Sequence, residues 1–427
     1  MSIRLYLLLI LSSPVGRLFA QREPDRIYQE NIRSVKFNMF GDQLSYPVIG
    51  LNSNDLLQLD FDDMQGGVKY YYYRYELCNA DWTPAQLSYM DYVRGFSQVR
   101  ITTYRQSSLA LTRYTHYQAT LPDRNAVPTR SGNYILRVFL NGDTSQVAFT
   151  RRLLVVEKGL SVAAQILQPS SQLYFRTHHR LQVQVGTQAI DIRYPQQQIR
   201  LTILQNDRWD SRLDNIPPTF VRPDRLIFDN ESQMLFPAGR EWRWANLRSF
   251  RLLGDRVAKQ SNTDNSYNLF MKEEQPRNQQ VYSYFRDVNG HWINETTENI
   301  NPLWEADYAQ VHFAFIPPGG RPYPGKELYI FGEISEYGRN KEARMVFNPD
   351  NGIYEANLYL KQGYYDYAYA LRGPDTQGSF STGITEGDFW EAEDTYMVLV
   401  YFRELGGRYD QLMGVTRVNS MTNRPGF

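Results

Sequence analysis

Cysteine and histidine are both scarce in this chain, which has a single cysteine and 5 histidines among its 427 residues. Because Cys78 has no second cysteine to pair with, no disulfide can form within the chain, and hydrophobic cores must hold its domains together. In the strand-like sequence around it, Cys78 is expected to be a small, buried, apolar residue. The shortage of both residue types favours a structural or binding role over catalysis.

Sequence motifs for catalysis are absent as well. The chain has no G-x-S-x-G elbow, no phosphate-binding G-x-x-x-x-G-K-[ST], no dinucleotide-binding G-x-G-x-x-G and no H-E-x-x-H pair. His178 and His179 are adjacent, so a strand would point them to opposite faces, and we expect exposed residues at a strand start. Asp60, Asp62 and Asp63 have the chemistry for calcium, but we interpret them as a solvated strand face. We predict no enzymatic activity, no cofactor and no metal.

Lysine is the third scarce residue. It occurs only at positions 36, 69, 158, 259, 272, 326, 341 and 361, so arginine supplies most of the 46 basic residues. These are balanced by 46 acidic residues, and a formal net charge of +0 gives no indication of nucleic acid or an anionic membrane surface as a partner. Arginine is the cation favoured at protein interfaces, although genomic base composition explains the same bias equally well.

Tyrosine, in contrast, is abundant, with 32 residues. Tyr365, Tyr367 and Tyr369 recur at every second position, which in a pleated strand puts all three rings on one face. Tyrosine combines a large apolar ring with a polar tip, so it suits both a sheet core and a protein interface. The pattern predicts an all-β binding scaffold.

The first twenty residues resemble a secretory signal peptide. Arg4 supplies a positive charge, residues 5–11 are apolar, and small or turn-forming residues precede a polar Gln21. The alternative is a membrane anchor, but the apolar run is much shorter than the roughly 20 residues that a spanning helix needs. We therefore expect cleavage after Ala20 and a mature chain without a membrane span.

The first domain is predicted at residues 21–158. Apolar and polar residues alternate over residues 57–62, and Gly66-Gly67 then leads into residues 68–77, which predicts a hairpin. Further short strands follow, separated by turns rich in glycine, proline and asparagine. This spacing favours an immunoglobulin-like β-sandwich.

Two further β-domains and a tail are predicted after it. Residues 159–302 form a β-rich domain with long polar loops around residues 252–268 and 287–301. Residues 303–413 show the clearest period-two alternation and predict another sandwich. Residues 414–427 are polar and contain glycine and proline, so we interpret them as a tail. The fold class is therefore all-β, with tandem immunoglobulin-like or early-set β-sandwiches.

The third domain resembles an early-set carbohydrate-binding module in Glu327-Leu-Tyr-Ile-Phe-Gly332, the hairpin over residues 345–360 and Gly363-Tyr-Tyr-Asp-Tyr367. Such modules usually stack tryptophans on sugar rings, whereas residues 333–344 offer only Tyr337. We therefore favour a structural relative that has lost its ligand and keep a periplasmic carbohydrate-binding protein as the alternative function.

Phrases along the whole mature chain resemble one protein family. They are Leu44-Ser-Tyr-Pro-Val-Ile49, Phe61-Asp-Asp63, Tyr71-Tyr-Tyr73, Cys78-Asn-Ala-Asp-Trp82 with Pro84, Ser131-Gly-Asn-Tyr134, Leu204-Gln-Asn206, Arg208-Trp-Asp210, Phe236-Pro237 with Gly239 and Glu241, Glu305-Ala-Asp-Tyr308 and Arg408-Tyr-Asp410. Together they resemble the plug proteins of the Bacteroidetes type 9 secretion system.

This resemblance implies a non-enzymatic protein of the periplasm, peripheral to the inner face of the outer membrane. Its implied partner is the giant outer-membrane translocon barrel of the SprA or Sov type, whose periplasmic mouth it would seal when the barrel is idle. No small-molecule substrate and no nucleic acid are implied, and the resemblance carries over no catalytic or cofactor residues.

Candidate partner-binding residues come from loops and their borders, because contacts with partners concentrate there on a rigid scaffold. The alternative for each is packing between sheets or domains, which we favour for Tyr72 and Trp82. The candidates are Tyr70, Tyr73, Trp242, Trp244, Arg408 and Tyr409.

Overall fold

The computed structural model describes residues 24–263, 266–373 and 379–423, so the predicted signal peptide lies outside the described residues. Nearly all regular structure in these ranges is β-strand, which confirms the all-β prediction. The strands form three β-sandwiches, each made of two sheets that share a hydrophobic core.

The first sandwich consists of sheets A and B. Sheet A contains Arg26–Ile27, Val48–Gly50, Tyr71–Cys78, Val99–Arg100, Gly132–Leu140 and Val147–Val156. Sheet B contains Ile32–Met39, Leu57–Asp63, Thr103–Gln106 and Thr115–Leu121. A two-stranded ribbon adds Val93–Gly95 and Ala126–Pro128.

One predicted hairpin of this sandwich is wrong. Leu57–Asp63 pairs with strands of sheet B, whereas Tyr71–Cys78 pairs with strands of sheet A. The Gly66-Gly67 turn therefore connects the two sheets across the core. Both strands have an apolar face. That face is buried in the core whether the two strands are neighbours in one sheet or lie in opposite sheets of the sandwich.

The second sandwich consists of sheets C and D. Sheet C contains Ser161–Leu167, His178–Gly186, Phe220–Val221, Arg225–Phe228 and Leu235–Pro237. Sheet D contains Ile199–Gln205, Arg208–Ile216, Thr395–Phe402 and Gln411–Asn419.

The third sandwich, built from sheets E and F, lies between the two parts of the second in sequence. Sheet E contains Arg243–Asn246, Trp292–Asn294, Glu327–Phe331 and Gly363–Arg372. Sheet F contains Val257–Thr263, Ser266–Met271, Tyr308–Phe315, Val346–Asn348 and Ile353–Lys361. The predicted stripe of Tyr365, Tyr367 and Tyr369 is buried in its core.

Helical structure in the described residues is limited to single turns. The α-helical turns are Tyr89–Tyr92 and Pro195–Gln198, and the 3-10 turns are Glu231–Gln233, Pro318–Gly320, Glu333–Ser335 and Lys341–Ala343. No helix among the described residues is long and apolar enough to cross a membrane.

The linear division into domains needs correction at its carboxyl end. Thr395–Phe402, expected in the third domain, pairs with Ile199–Gln205 of the second sandwich. Gln411–Asn419, expected to be largely tail, pairs in turn with Thr395–Phe402. The third sandwich is thus an insertion, and strands from residue 243 onwards already belong to it. Alternation along a strand identifies its buried face but not the sheet that will pair with it.

Sheets A and D pack against each other through their outer faces. Leu201 and Ile203 point into the core of the second sandwich, while Leu204 points the opposite way and contacts sheet A. In sheet A, Ile135 and Leu154 point towards sheet D. The first and second sandwiches therefore form a four-layer stack in the order B, A, D, C, in which the two central sheets bury part of their outer faces against each other.

Candidate functional site

The six residues expected to contact a partner do not form one surface. Tyr70 and Tyr73 lie at the start of a strand of sheet A, Trp242 and Trp244 beside a strand of sheet E, and Arg408 and Tyr409 in the loop between the last two strands of sheet D. They also differ in how far their side chains are buried.

Two of the candidates are buried, so the expectation of partner contact is corrected for them. The Tyr73 ring packs edge-on against Tyr75 at 5.7 Å in the first core. The Trp242 ring stacks on Phe331 at 6.2 Å, and its backbone N–H donates to Asp287 at 2.6 Å. In both cases packing within the protein, the alternative to partner contact, accounts for the aromatic side chain: Tyr73 lies in the first core, and Trp242 lies in a smaller cluster on the outer face of sheet E.

The other four candidates are at least partly exposed. Trp244 is half-buried beneath the Arg256 guanidinium, which lies 3.9 Å from its ring centroid, and Tyr409 packs against the first core. Tyr70 and Arg408 are exposed. They lie beyond opposite ends of the strand Tyr71–Cys78, which is roughly 26 Å long at about 3.3 Å per residue, so they do not share one surface.

The Cys78 to Trp82 phrase lies at the contact between the first and second sandwiches. Trp82 packs edge-on against Trp209 at 4.8 Å, and the Arg152 guanidinium lies within 4.9 Å of both ring centroids. The prediction that Trp82 packs between domains is confirmed. Cys78 is buried as predicted, and burial raises the pKa of its thiol to about 12, so the thiol stays protonated.

The three carboxylates predicted to line a solvated face are buried instead. Asp62 accepts hydrogen bonds from Lys361 Nζ at 2.5 Å and Tyr308 Oη at 2.6 Å, both on the third sandwich, and its Oδ1 lies 2.7 Å from His116 Nδ1. Burial alone would raise the pKa of Asp62, but Lys361 and His116 lower it. The Asp62 carboxylate thus connects the first sandwich to the third.

A second, partly buried ionic cluster lies where all three sandwiches meet. Glu333 of the third sandwich accepts from Lys36 Nζ of the first at 2.7 Å and lies 3.2 Å from His291 Nδ1. His291 Nε2 is 3.7 Å from Asp207 of the second sandwich, which pairs with Arg417 at 2.7 Å. Burial opposes ionisation, yet Lys36 and His291 lower the pKa of Glu333 to about 2. Opposite charges therefore align the three units.

The three sandwiches also line an open cavity of about 2260 Å³. Its walls carry many charges, but these form ion pairs with each other, such as Arg33 with Glu342 at 2.9 Å and Arg151 with Glu336 at 2.7 Å. Because the charges on its walls are paired with each other, the cavity has little excess charge with which to select an ionic ligand. Among the described residues, no three acidic, histidine or cysteine side chains are grouped to hold a metal ion.

The remaining candidates for ligand binding are engaged inside the fold. His178 and His179 do point to opposite faces, but His179 is fully buried, with Nδ1 2.8 Å from Tyr396 Oη, so the expectation that both are exposed is wrong for it. Tyr337, the one candidate for sugar stacking, packs edge-on against Phe331 at 5.6 Å and lies 6.0 Å from the Arg208 guanidinium.

Sequence reasoning missed the two lysines that join the sandwiches. Lys36 and Lys361 sit in strands at positions that the apolar alternation would give to the surface, and both are almost fully buried. The scarcity of lysine was the one available signal, since a rare residue inside a strand has a specific reason to be there. Nothing in the sequence identified their partners Glu333 and Asp62.

Comparisons with known proteins agree with this architecture. A family model described as "Type 9 secretion system plug protein 1st domain" matches residues 32–157, which covers most of the first sandwich. Among solved structures, 21 chains match. One is the crystal structure of a hypothetical protein from Parabacteroides merdae ATCC 43184, with 28% identity, a TM-score of 0.88, and coverage of 92% of this chain and 98% of that chain. No curated protein matches the chain.

Proposed function

We propose that this chain, whose residues 32–157 match the first domain of type 9 secretion system plug proteins, is a plug protein of that system and acts as a non-enzymatic stopper of its translocon. It would act in the periplasm, at the inner face of the outer membrane. There it would bind the periplasmic mouth of a giant SprA- or Sov-type barrel and seal it while no cargo is in transit.

The match of the first domain to the plug family carries this proposal. The arrangement of the sandwiches supports it, since a stopper for a wide aqueous pore has to keep its shape. Sheets A and D share a hydrophobic cluster between their outer faces, and ionic clusters at Asp62 and Glu333 join the third sandwich to the rest. Buried charge pairs of this kind favour one relative orientation of the units, because any other leaves a charge unpaired.

Co-purification tests the proposal directly. A tagged copy, expressed in a bacterium that has the type 9 system, is isolated from detergent-solubilised membranes with and without chemical crosslinking. We expect the giant outer-membrane barrel to be recovered with it as a stoichiometric partner. Recovery of the tagged protein only from the soluble fraction, with no barrel even after crosslinking, would contradict the proposal.

Sealing is tested separately from binding. Deletion of the gene should make the outer membrane permeable to large hydrophilic antibiotics, and a plasmid-borne copy should restore the barrier. A strain lacking both this gene and the barrel controls for indirect effects, because without the pore there is nothing to seal. Equal permeability of the single deletion and the wild type would exclude the sealing role.

A further inference from the structure

One edge of the first sandwich is covered by a continuous, exposed stretch of chain, residues 89–106, which we call the edge segment. It contains the helical turn Tyr89–Tyr92 and three short strands. Val99–Arg100 is the outermost strand of sheet A, and Thr103–Gln106 is the outermost strand of sheet B. The segment therefore closes both sheets on the same side, and all four residues of its last strand are exposed.

Large apolar side chains project from the edge segment into solvent. Met90 is 90% exposed, Phe96 67% and Tyr104 41%, while the adjacent Tyr70 is 50% exposed. Single exposed apolar residues are ordinary on protein surfaces. Four of them lie within one short segment and its neighbour, and a local concentration of exposed apolar side chains is typical of interaction sites.

Hydrogen bonds and a ring contact tie parts of the edge segment to each other and to Tyr70. Tyr89 Oη donates to the Phe96 carbonyl at 3.0 Å, which ties the helical turn that contains Met90 to the chain at Phe96. The Arg100 guanidinium lies 4.0 Å from the centroid of the Tyr70 ring. Backbone bonding of Ile101 N to the Tyr71 carbonyl at 2.8 Å keeps the segment beside the strand that Tyr70 precedes.

The edge segment is also basic, although the chain as a whole is neutral. It contains Arg94, Arg100 and Arg105 against one acid, Asp91, which gives three positive charges, one negative charge and a net charge of +2. Asp91 is occupied as a helix cap, accepting from Ser88 N at 2.9 Å. Within the described residues the three arginines are all exposed and form no ion pair, unlike the arginines between the sandwiches.

This composition has two physical explanations. Charged residues on an open sheet edge can simply prevent edge-to-edge aggregation. Exposed arginine beside Tyr, Phe and Met is, however, the mixture enriched at protein interfaces, and a cation already stacked on Tyr70 is preorganised for a carboxylate. Charged residues alone would prevent aggregation, whereas the exposed Met90 and Phe96 increase the risk of aggregation.

We propose that the edge segment is the docking surface for a protein partner whose own surface is acidic around an apolar centre. The inference rests on the proposed function, under which this partner is the periplasmic mouth of the translocon barrel. Arg94, Arg100 and Arg105 would steer the approach, and Phe96, Met90 and Tyr70 would supply the buried centre of the interface.

Charge reversal tests the inference. The triple variant R94E/R100E/R105E is compared, in the co-purification described above, with the control R222E/R286E/R321E, which makes the same charge change at exposed arginines of the other two sandwiches. Circular dichroism and the thermal midpoint establish that both variants fold. We expect barrel recovery with the edge variant to fall at least about tenfold, and recovery with the control to match the wild type.

Each outcome is decisive. If the wild type recovers the barrel and the edge variant recovers as much, the inference is wrong while the proposed function stands. If the wild type recovers no barrel, the proposed function fails and the docking surface fails with it. Co-sedimentation of the wild type with vesicles of phosphatidylglycerol and phosphatidylethanolamine, lost in the edge variant while barrel recovery is unchanged, would assign the segment to lipid headgroups instead.

Discussion

Charged side chains have two opposite fates inside this protein, depending on their neighbours. Asp62 and Glu333 lie beside cations and stay ionised, because Lys361 and Lys36 offset the effect of burial. Asp366 has no cation beside it among the described residues, and burial, together with the nearby Asp287, raises its pKa to about 8. Burial likewise raises the pKa of Asp287 to about 7. Gain or loss of a proton at Asp366 and Asp287 therefore affects the stability of the folded state.

The raised pKa values predict a stability that depends on pH. Both carboxyls titrate near 3.8 in the unfolded chain, so the stability they contribute is fully present below that value and is lost as the pH rises through about 7 to 8. We expect the free energy of unfolding to decrease from about pH 4 to about pH 8 and to level off above that. Urea titrations across this range would measure it.

Asp366→Asn should flatten that pH dependence, since the amide remains neutral throughout. Asp350→Asn, at an exposed turn, is the matched control and should leave the wild-type pH profile unchanged. A profile that is just as steep in Asp366→Asn would show that other groups cause the effect.

At the level of strands and sheets, the insertion makes the carboxyl end essential to the second sandwich. Thr395–Phe402 and Gln411–Asn419 are half of sheet D, and Tyr396, Val398 and Val400 lie in the core of that sandwich. A chain that ends at residue 390 would lack these strands and leave the other sheet's apolar face in water.

We expect this truncation to unfold the second sandwich while the first stays intact. Limited proteolysis with mass spectrometry should then leave a protected fragment close to residues 24–157. A chain that ends at residue 423 keeps both strands and should resist protease like the full chain. Equal resistance of the chain that ends at residue 390 would contradict the assignment of these strands to sheet D.

The same elements show how far sequence reasoning reaches. The alternation of apolar residues correctly indicates strands such as Ile199–Gln205, Ile353–Lys361 and Thr395–Phe402, because each buries one or both faces. The alternation does not predict which strands pair with each other. Gln411–Asn419 contains a glycine and several polar residues, so its alternation is weak, and only its neighbour in sheet D makes it a strand.

At the scale of the whole molecule, Lys361 is one of the two lysines that join the first and third sandwiches. Lys361→Met would remove the cation that donates to Asp62 at 2.5 Å and leave a buried carboxylate with fewer partners. Breaking such a pair typically costs about 3–5 kcal/mol of folding free energy. We therefore expect a lower unfolding midpoint and faster proteolysis between the first and third sandwiches.

Lys326→Met removes an exposed lysine from the same sandwich and is the matched control, expected to change stability by less than about 0.5 kcal/mol. The double variant Asp62→Asn/Lys361→Met should regain part of the loss, because it removes both charges. If Lys361→Met is as stable as Lys326→Met, the ion pair does not hold the sandwiches together.

The sequence by itself determined the fold class, an all-β chain of several sandwiches with tyrosines inside, and supplied phrases that resemble the plug-protein family. These properties follow from local periodicity and short motifs, which a single strand or turn already contains. Only the tertiary structure decided that the third sandwich is an insertion, that Asp62 finds Lys361 and Glu333 finds Lys36, and that Trp242 is buried while Phe96 is exposed. Those outcomes depend on which distant segments pair and pack, and residues hundreds of positions apart carry no local mark of their partners.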